Sequence, residues 1–355
     1  MREGRTLKNL AVELERQLAS KKDLIVPSMK MRLSTSMAGQ CTLLIDESDG
    51  AHEYPVNAFA LRQIADKHAI PHGYFERMRQ EKPVLLDRNV NTWLHAQPHI
   101  NRLVRTLDGR ARAFLTDRYR RIDHWDLANY ILPILDRLPG ARFESLELTE
   151  SRLYLKVVTS KICCEVAPGD VIQAGVVVSN SEIGSAKLRV EPLIYRLVCK
   201  NGLIAADRSM RKTHLGRKMI SDEDHVIVFQ DDTLKADDHA LFLKVRDMVE
   251  AAVSAATFQL ISAKMQKTMG IKLTGDPVRS VEILAKRFSL NDDERGGVLR
   301  YLVEGGALSG YGLVNAVTGY SQEIADYDRA TAFEEFGGHM LNFEPPEWKA
   351  IAAAA

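Results

Sequence analysis

Residues 152–202 read RLYLKVVTSKICCEVAPGDVIQAGVVVSNSEIGSAKLRVEPLIYRLVCKNG, and this stretch decides the fold class. Leu153-Tyr154-Leu155-Lys156-Val157 has the two-residue alternation of a strand. Arg152–Thr159, Val171–Ser179 and Ser185–Cys199 are strand-length segments rich in Val, Ile, Leu and Tyr. Gly169-Asp170 and Asn180-Ser181-Glu182-Ile183-Gly184 are turn sequences between them. Such short links demand antiparallel pairing, because parallel neighbours need a crossover of about a dozen residues. Phe143–Thr149 adds a further strand. No strand–helix–strand alternation occurs, which argues against a doubly wound dinucleotide-binding sheet. Cys163-Cys164 lies within the strand read over Tyr154–Val166. Adjacent strand residues face opposite sides, which predicts one buried and one exposed thiol and no disulfide between them.

Upstream, Leu103, Arg105 and Leu107, then Asp108-Gly109, then Ala111, Ala113 and Leu115 form a hairpin signature. Leu7, Leu10, Leu14 and Leu18 predict an amphipathic N-terminal helix. Asp23–Ser36 and Cys41–Ile45 read as extended. Asn57 is placed to cap a helix bearing Phe59, Leu61 and Ile64, and the Pro71/Gly73 break makes a helical hairpin. His95 and His99 have a metal-compatible spacing, but Pro98 intervenes and no third ligand follows, so no metal is assigned. Asp123–Leu138 is a helix ended by Pro139-Gly140.

Downstream the periodicity turns helical. Ala240–Met269 reads as one helix of about 30 residues. Pro277–Phe288 and Asp293–Leu302 follow, with Asn291 and Glu294 in a capping-box spacing, and a last helix spans 321–335. The expected division is an N-terminal helix over 1–22, an α+β core over 23–220, and an acidic linker over 221–238. A helical region over 239–340 and a flexible tail over 341–355 complete it. The fold class is α+β: an antiparallel sheet with helices on one face, then a helical C-terminal region.

Of 355 residues, 45% are hydrophobic and 27% charged, which supports a folded core and excludes global disorder. No apolar run is long enough to span a membrane, and no secretory signal leads the chain. Four cysteines without disulfide spacing fit the cytoplasm. The formal charge of +1 conceals segregation. Residues 100–121 carry seven Arg against two Asp, and residues 187–218 carry nine Lys/Arg against two acids. Residues 221–238 and 321–348 are each acidic, with seven carboxylates against one cation.

Arg forks suit phosphates, and nearby Tyr119, Tyr195 and Trp125 suit base stacking. The candidate nucleic-acid-binding residues are therefore Arg105, Arg112, Arg118, Tyr119, Arg120, Arg189, Arg196, Lys200, Arg208, Arg211, Lys212 and Arg217. No P-loop, G-x-G-x-x-G after a strand, nucleophile elbow or H-E-x-x-H is present, so neither a catalytic residue nor a cofactor is assigned. Asp231-Asp232 and Asp237-Asp238 are paired carboxylates that could hold Mg²⁺, but acids at the start of a helix also have a structural role.

Asn180-Ser181 and Gly184 read as a turn that caps its own backbone. Asn201-Gly202 reads as the positive-φ reversal after the last long strand. The run Gly175–Gly184, followed by Tyr195-Arg196-Leu197-Val198-Cys199-Lys200-Asn201-Gly202, resembles the core signature of DUF932, a phage- and plasmid-associated family. Tyr311-Gly312-Leu313-Val314-Asn315-Ala316-Val317-Thr318 and Phe336-Gly337-Gly338 resemble its C-terminal motif. Leu115-Thr116-Asp117-Arg118-Tyr119-Arg120 is similar to another of its blocks. The resemblance covers roughly residues 40–340. It implies a mobile-element setting and, further, kinship in role or fold with single-strand annealing proteins. No catalytic residue comes with it.

The expectation is a non-catalytic cytoplasmic protein of a phage or plasmid that binds DNA, preferring single strands, and acts as a homo-oligomer away from membranes. The alternatives are a metal-dependent enzyme acting on nucleic acid, using the acids of 231–238, and an interaction protein directed at a host factor.

Overall fold

A computed structural model describes residues 1–205 and 231–354. The chain opens with α1 (Leu7–Ser20), β1 (Lys22–Pro27), β2 (Met31–Thr35), β3 (Cys41–Glu47) and β4 (Gly50–Pro55). Helices α2 (Ala58–Lys67), α3 (His72–Glu81) and α4 (Pro83–Ala96) precede the hairpin β5 (Asn101–Leu107) and β6 (Arg110–Thr116). Then come α5 (His124–Asp136), β7 (Ala141–Leu148), β8 (Leu153–Ala167), β9 (Asp170–Asn180), β10 (Arg189–Arg196) and β11 (Asn201–Ile204). The C-terminal region holds α6 (Asp231–Ala252), α7 (Ala255–Met269), α8 (Pro277–Phe288), α9 (Asp292–Glu304), α10 (Gly310–Tyr320), α11 (Tyr327–Met340) and α12 (Pro345–Ala352).

The fold is α+β, and the stretch quoted above forms four strands of an antiparallel meander ordered β11-β10-β9-β8-β7. Its register places Val157 opposite Val176, and Val177 between Lys156 and Glu191. On β9, Ile172 and Ala174 meet α7, while Val176 and Val178 meet α5 and α6. The opposite face holds Val158, Val177, Leu193, Tyr195 and Ile204. It is covered by α11, which Lys156 reaches at Thr331 and Glu334. A strand covered on both faces loses polar alternation, which explains the run Gly175-Val176-Val177-Val178.

The rest of the 23–220 region is not one sheet. β1-β5-β6 and β2-β3-β4 are separate three-stranded antiparallel sheets, joined by a bridge between Val56 and Ala111. Helices α2–α4 cover them through Leu61, Ile64, Phe75, Met78, Leu86 and Val90. Asp108 and Gly109 both take positive φ in the β5–β6 turn, as the Asp-Gly pair predicts. Asn57 and the Asn291/Glu294 capping box are also where the sequence placed them.

Four local expectations are corrected. The positive-φ residue before β11 is Lys200, at φ 51°, and Asn201-Gly202 lies inside the strand. The 30-residue helix is two, because Ser254 caps a new start by accepting from the Thr257 N–H. Residues 231–238 form the first turns of α6 rather than a linker. The tail is helix α12, with Trp348 and Ile351 buried and the Ala352 carbonyl taken by the N–H groups of Thr274 and Gly275. Only for α12 does a contact distant in sequence, from Thr274 and Gly275, supply what local propensity lacks.

Helix α4 closes the open edge of β2 with side chains. Asp87 accepts from the Thr35 N–H at 2.9 Å, Asn91 accepts from and donates to the Leu33 backbone at 2.7 and 2.9 Å, and His95 donates to the Met31 carbonyl at 2.9 Å. Four helical residues rise about 6 Å, and two strand residues advance about 6.6 Å. The i, i+4, i+8 ladder therefore keeps step with every second strand residue. Removing both bonds with Asn91→Ala should cost about 1–3 kcal/mol, read as a lower urea midpoint.

Candidate nucleic-acid interface

Four of the seven arginines of the first basic block, Arg105, Arg112, Arg120 and Arg121, are paired with carboxylates, and two of them, Arg105 and Arg112, are buried. Arg105 is 1% exposed, donates to Asp23 at 2.7 Å and Asp123 at 2.6 Å, and donates to the Glu182 carbonyl at 2.9 Å. Burial alone would lower its pKa, but Asp123 and Asp23 override this and raise it, so it stays cationic. Arg112 is buried and paired with Glu182. Neither residue is open to a phosphate. Tyr119 is half-buried and donates to the Ser181 carbonyl at 3.3 Å. Arg120 pairs with Asp237 at 3.0 Å. Arg118 is exposed and has no ion pair among the described residues.

Glu182 is the centre of this junction. Its carboxylate takes Arg112, the His124 backbone N–H at 2.6 Å and Lys21 at 3.6 Å. Burial would raise its pKa, yet His124, Arg112 and Lys21 hold it down at about 2. Burial pushes His124 down to about 4, so its imidazole is neutral near pH 7. A carboxylate held so far down is a poor general base. The cluster binds the β1-β5-β6 sheet to the end of β9.

His124 makes folding stability depend on pH. Its folded pKa lies below the unfolded value of about 6.5, so the unfolded chain takes up the proton first. The stability it contributes is complete above about pH 6.5 and is lost as pH falls toward 4, by about 3 kcal/mol. His68, also near 4 through burial and Arg102, adds to the same window. Melting temperature should therefore fall between pH 6.5 and 4, and His124→Gln should flatten, without abolishing, that slope.

Two arginines of the second block are also paired. Arg189 reaches Glu335 at 3.3 Å. Arg196 donates to Asp170 at 2.6 Å and lies over the Tyr311 ring at 5.6 Å, while Tyr311 donates to Asp170 at 2.7 Å. Lys200 is exposed. Arg208, Arg211, Lys212 and Arg217 lie outside the described residues. So do the side chains of Asp231 and Asp232. The motif residues thus join strands to helices. Asn180 donates to the Ile122 carbonyl, Asn201 to Thr318, and a Cβ on Gly312 would overlap the Ala307 carbonyl.

A different feature gathers cations that have no ion pair among the described residues. A groove of about 610 Å³ lies between α7 and the Leu341–Lys349 segment that leads into and forms α12. Lys264, Lys267 and Lys349 line it, against the single carboxylate of Glu344. Lys264 donates to Asn342 at 2.7 Å. Lys267 and Lys349 are exposed and have no ion pair among the described residues. Phe343 and Trp348 form an apolar wall, their ring centroids 5.5 Å apart. The groove is larger and more cationic than the cavity of about 440 Å³ beside Asp123 and Asp126, and than the one of about 310 Å³ beside Glu13 and Glu182.

Sequence reasoning missed this groove because its lysines stand in segments of mixed charge. The one local signal is Lys264 and Lys267 on the same side of a helix at i, i+3. Glu47, Asp49 and His52 gather at the exposed β3–β4 hairpin, where His52 already pairs with Asp49 at 2.9 Å. No helix among the described residues is long and apolar enough to cross a membrane. No family model, curated protein or solved structure matches the chain.

Proposed function

We propose that the protein binds single-stranded DNA, with the α7–α12 groove as its contact surface, and serves recombination or replication of a phage or plasmid in the cytoplasm. The observation that carries this reading is the pairing of lysines with an aromatic wall. Lys267 and Lys349 have no ion pair among the described residues, so each phosphate they take releases condensed counterions. Phe343 and Trp348 supply the apolar boundary that sequence-tolerant strand binding uses. Arg118 and Lys200 remain exposed as secondary contacts. Joining two strands favours a homo-oligomer, which light scattering would register. Mg²⁺-dependent cleavage is not expected.

The test is binding of a fluorescent single-stranded 40-mer and its duplex over a salt series. Each lysine that meets a phosphate contributes about 0.7 to the slope of log K against log salt on single strands. Lys267→Ala/Lys349→Ala should therefore weaken binding and reduce the slope by about 1.4. Absence of wild-type binding at about 50 mM salt would overturn the proposal.

A further inference from the structure

One cation beside the groove is placed differently from the lysines. Arg287, near the end of α8, sets its guanidinium 4.1 Å above the centroid of the Phe343 ring. Its Nη2 pairs with Glu347 at 2.6 Å. Glu347 is itself held in place, because its other carboxylate oxygen accepts from the Glu344 N–H at 2.7 Å and closes the N-terminal box of α12. Phe343 is backed by Phe288 at 6.2 Å with planes 16° apart, and by Trp348. The Arg287 side chain remains 44% exposed.

This arrangement separates charge from surface. Glu347 already neutralises the guanidinium, so a phosphate at Arg287 would have to displace a carboxylate that the helix start holds. Among the described residues, no carboxylate other than Glu347 is ion-paired with Arg287. Guanidinium planes stack on bases as they do on aromatic rings. Phe343 belongs both to this stack and to the lysine groove. A base laid on Arg287 is thus next to lysines that can hold the backbone.

Resting on the reading of the groove as a single-strand site, we infer that Arg287 is a stacking platform for an unpaired base, positioned by Glu347 and Phe343, and is what makes the groove prefer single strands to duplex. A paired base keeps its faces covered by its neighbours and cannot use it.

The test compares wild type, Arg287→Lys and Lys267→Ala on three probes: a single-stranded 20-mer, its duplex, and a 20-mer of abasic sugar phosphates. Arg287→Lys keeps the charge and loses the plane. It should weaken single-strand binding by about 5- to 150-fold, the size of one stacked base. Its salt slope and its duplex affinity should stay at the wild-type values. Wild type should bind the abasic strand no more tightly than Arg287→Lys binds the normal one, because the abasic strand also loses its contacts with the aromatic wall. Lys267→Ala should lower the slope on all three probes. A thermal melt matching wild type confirms that Arg287→Lys is folded.

Unchanged single-strand affinity in Arg287→Lys would overturn the platform while leaving the groove reading intact. Equal losses on single strand and duplex with a lower slope would also overturn it, marking Arg287 as a phosphate contact. Failure of wild type to bind any probe would overturn the groove reading and the platform with it.

Discussion

Glu334→Leu is expected to lose about 3–5 kcal/mol of folding stability, the cost of leaving one member of a buried ion pair alone. Lys156 and Glu334 both have zero side-chain exposure and stand 2.7 Å apart between β8 and α11. Thr331 takes a second Lys156 proton at 2.9 Å, and the Tyr327 ring centroid lies 4.6 Å from the ammonium. Burial alone would lower the Lys156 pKa, but Glu334 overrides it and the net direction is upward. Without Glu334 the ammonium keeps Thr331 and the Tyr327 ring but has no counter-charge among the described residues, in a site with zero exposure. A loss of that size is a large part of the roughly 5–15 kcal/mol that holds a domain folded.

The paired substitution separates charge from packing. Lys156→Met/Glu334→Leu removes both ions together and fills similar volume. It should come out near wild type, or more stable by about 1–4 kcal/mol. Urea melts of the three proteins measure this. A Glu334→Leu protein as stable as wild type would mean that Lys156 is accommodated without its counter-charge.

The second large effect is expected from Gly338→Ala. Helix propensity alone favours this change by about 1 kcal/mol. The structure predicts the opposite sign. A Cβ on Gly338 would overlap the Ile204 carbonyl oxygen and come within 3.0 Å of the Ala205 Cα. These are backbone atoms of β11 and the residue after it, so no side-chain rotation relieves the contact. Overpacking of this kind costs about 1–3 kcal/mol or more. At Gly337 the nearest obstacle is the Thr318 methyl group, which belongs to a side chain, so Gly337→Ala should cost less. Melting temperatures of the two variants, both below wild type and Gly338→Ala the lower, would establish that the Gly-Gly pair exists to seat α11 on β11. A Gly338→Ala protein that melts above wild type would show that α11 is free to move away.

The same pair shows why a motif is easier to read than its purpose. Phe336-Gly337-Gly338 stands out in the sequence, but its reason is a strand more than 130 residues upstream. Arg105 makes the point for charge. Its partners Asp23, Asp123 and Glu182 are 82, 18 and 77 residues away. An Arg on a short strand therefore looks available until the tertiary structure brings its carboxylates to it.

The sequence by itself determined the antiparallel meander, the Asp108-Gly109 hairpin, the Asn57 cap and the Asn291/Glu294 capping box. Each is set by alternation, positive φ or a hydrogen bond within a few residues, so the local chain contains its cause. Only the tertiary structure decided that the N-terminal strands form two further sheets and that Arg105 and Arg112 are interior. It also decided that a groove lined by Lys264, Lys267 and Lys349 lies between α7 and α12. Whether a cation is spent or free depends on which carboxylates lie within a few ångströms, and Lys267 and Lys349 share a groove only because the chain between them folds back.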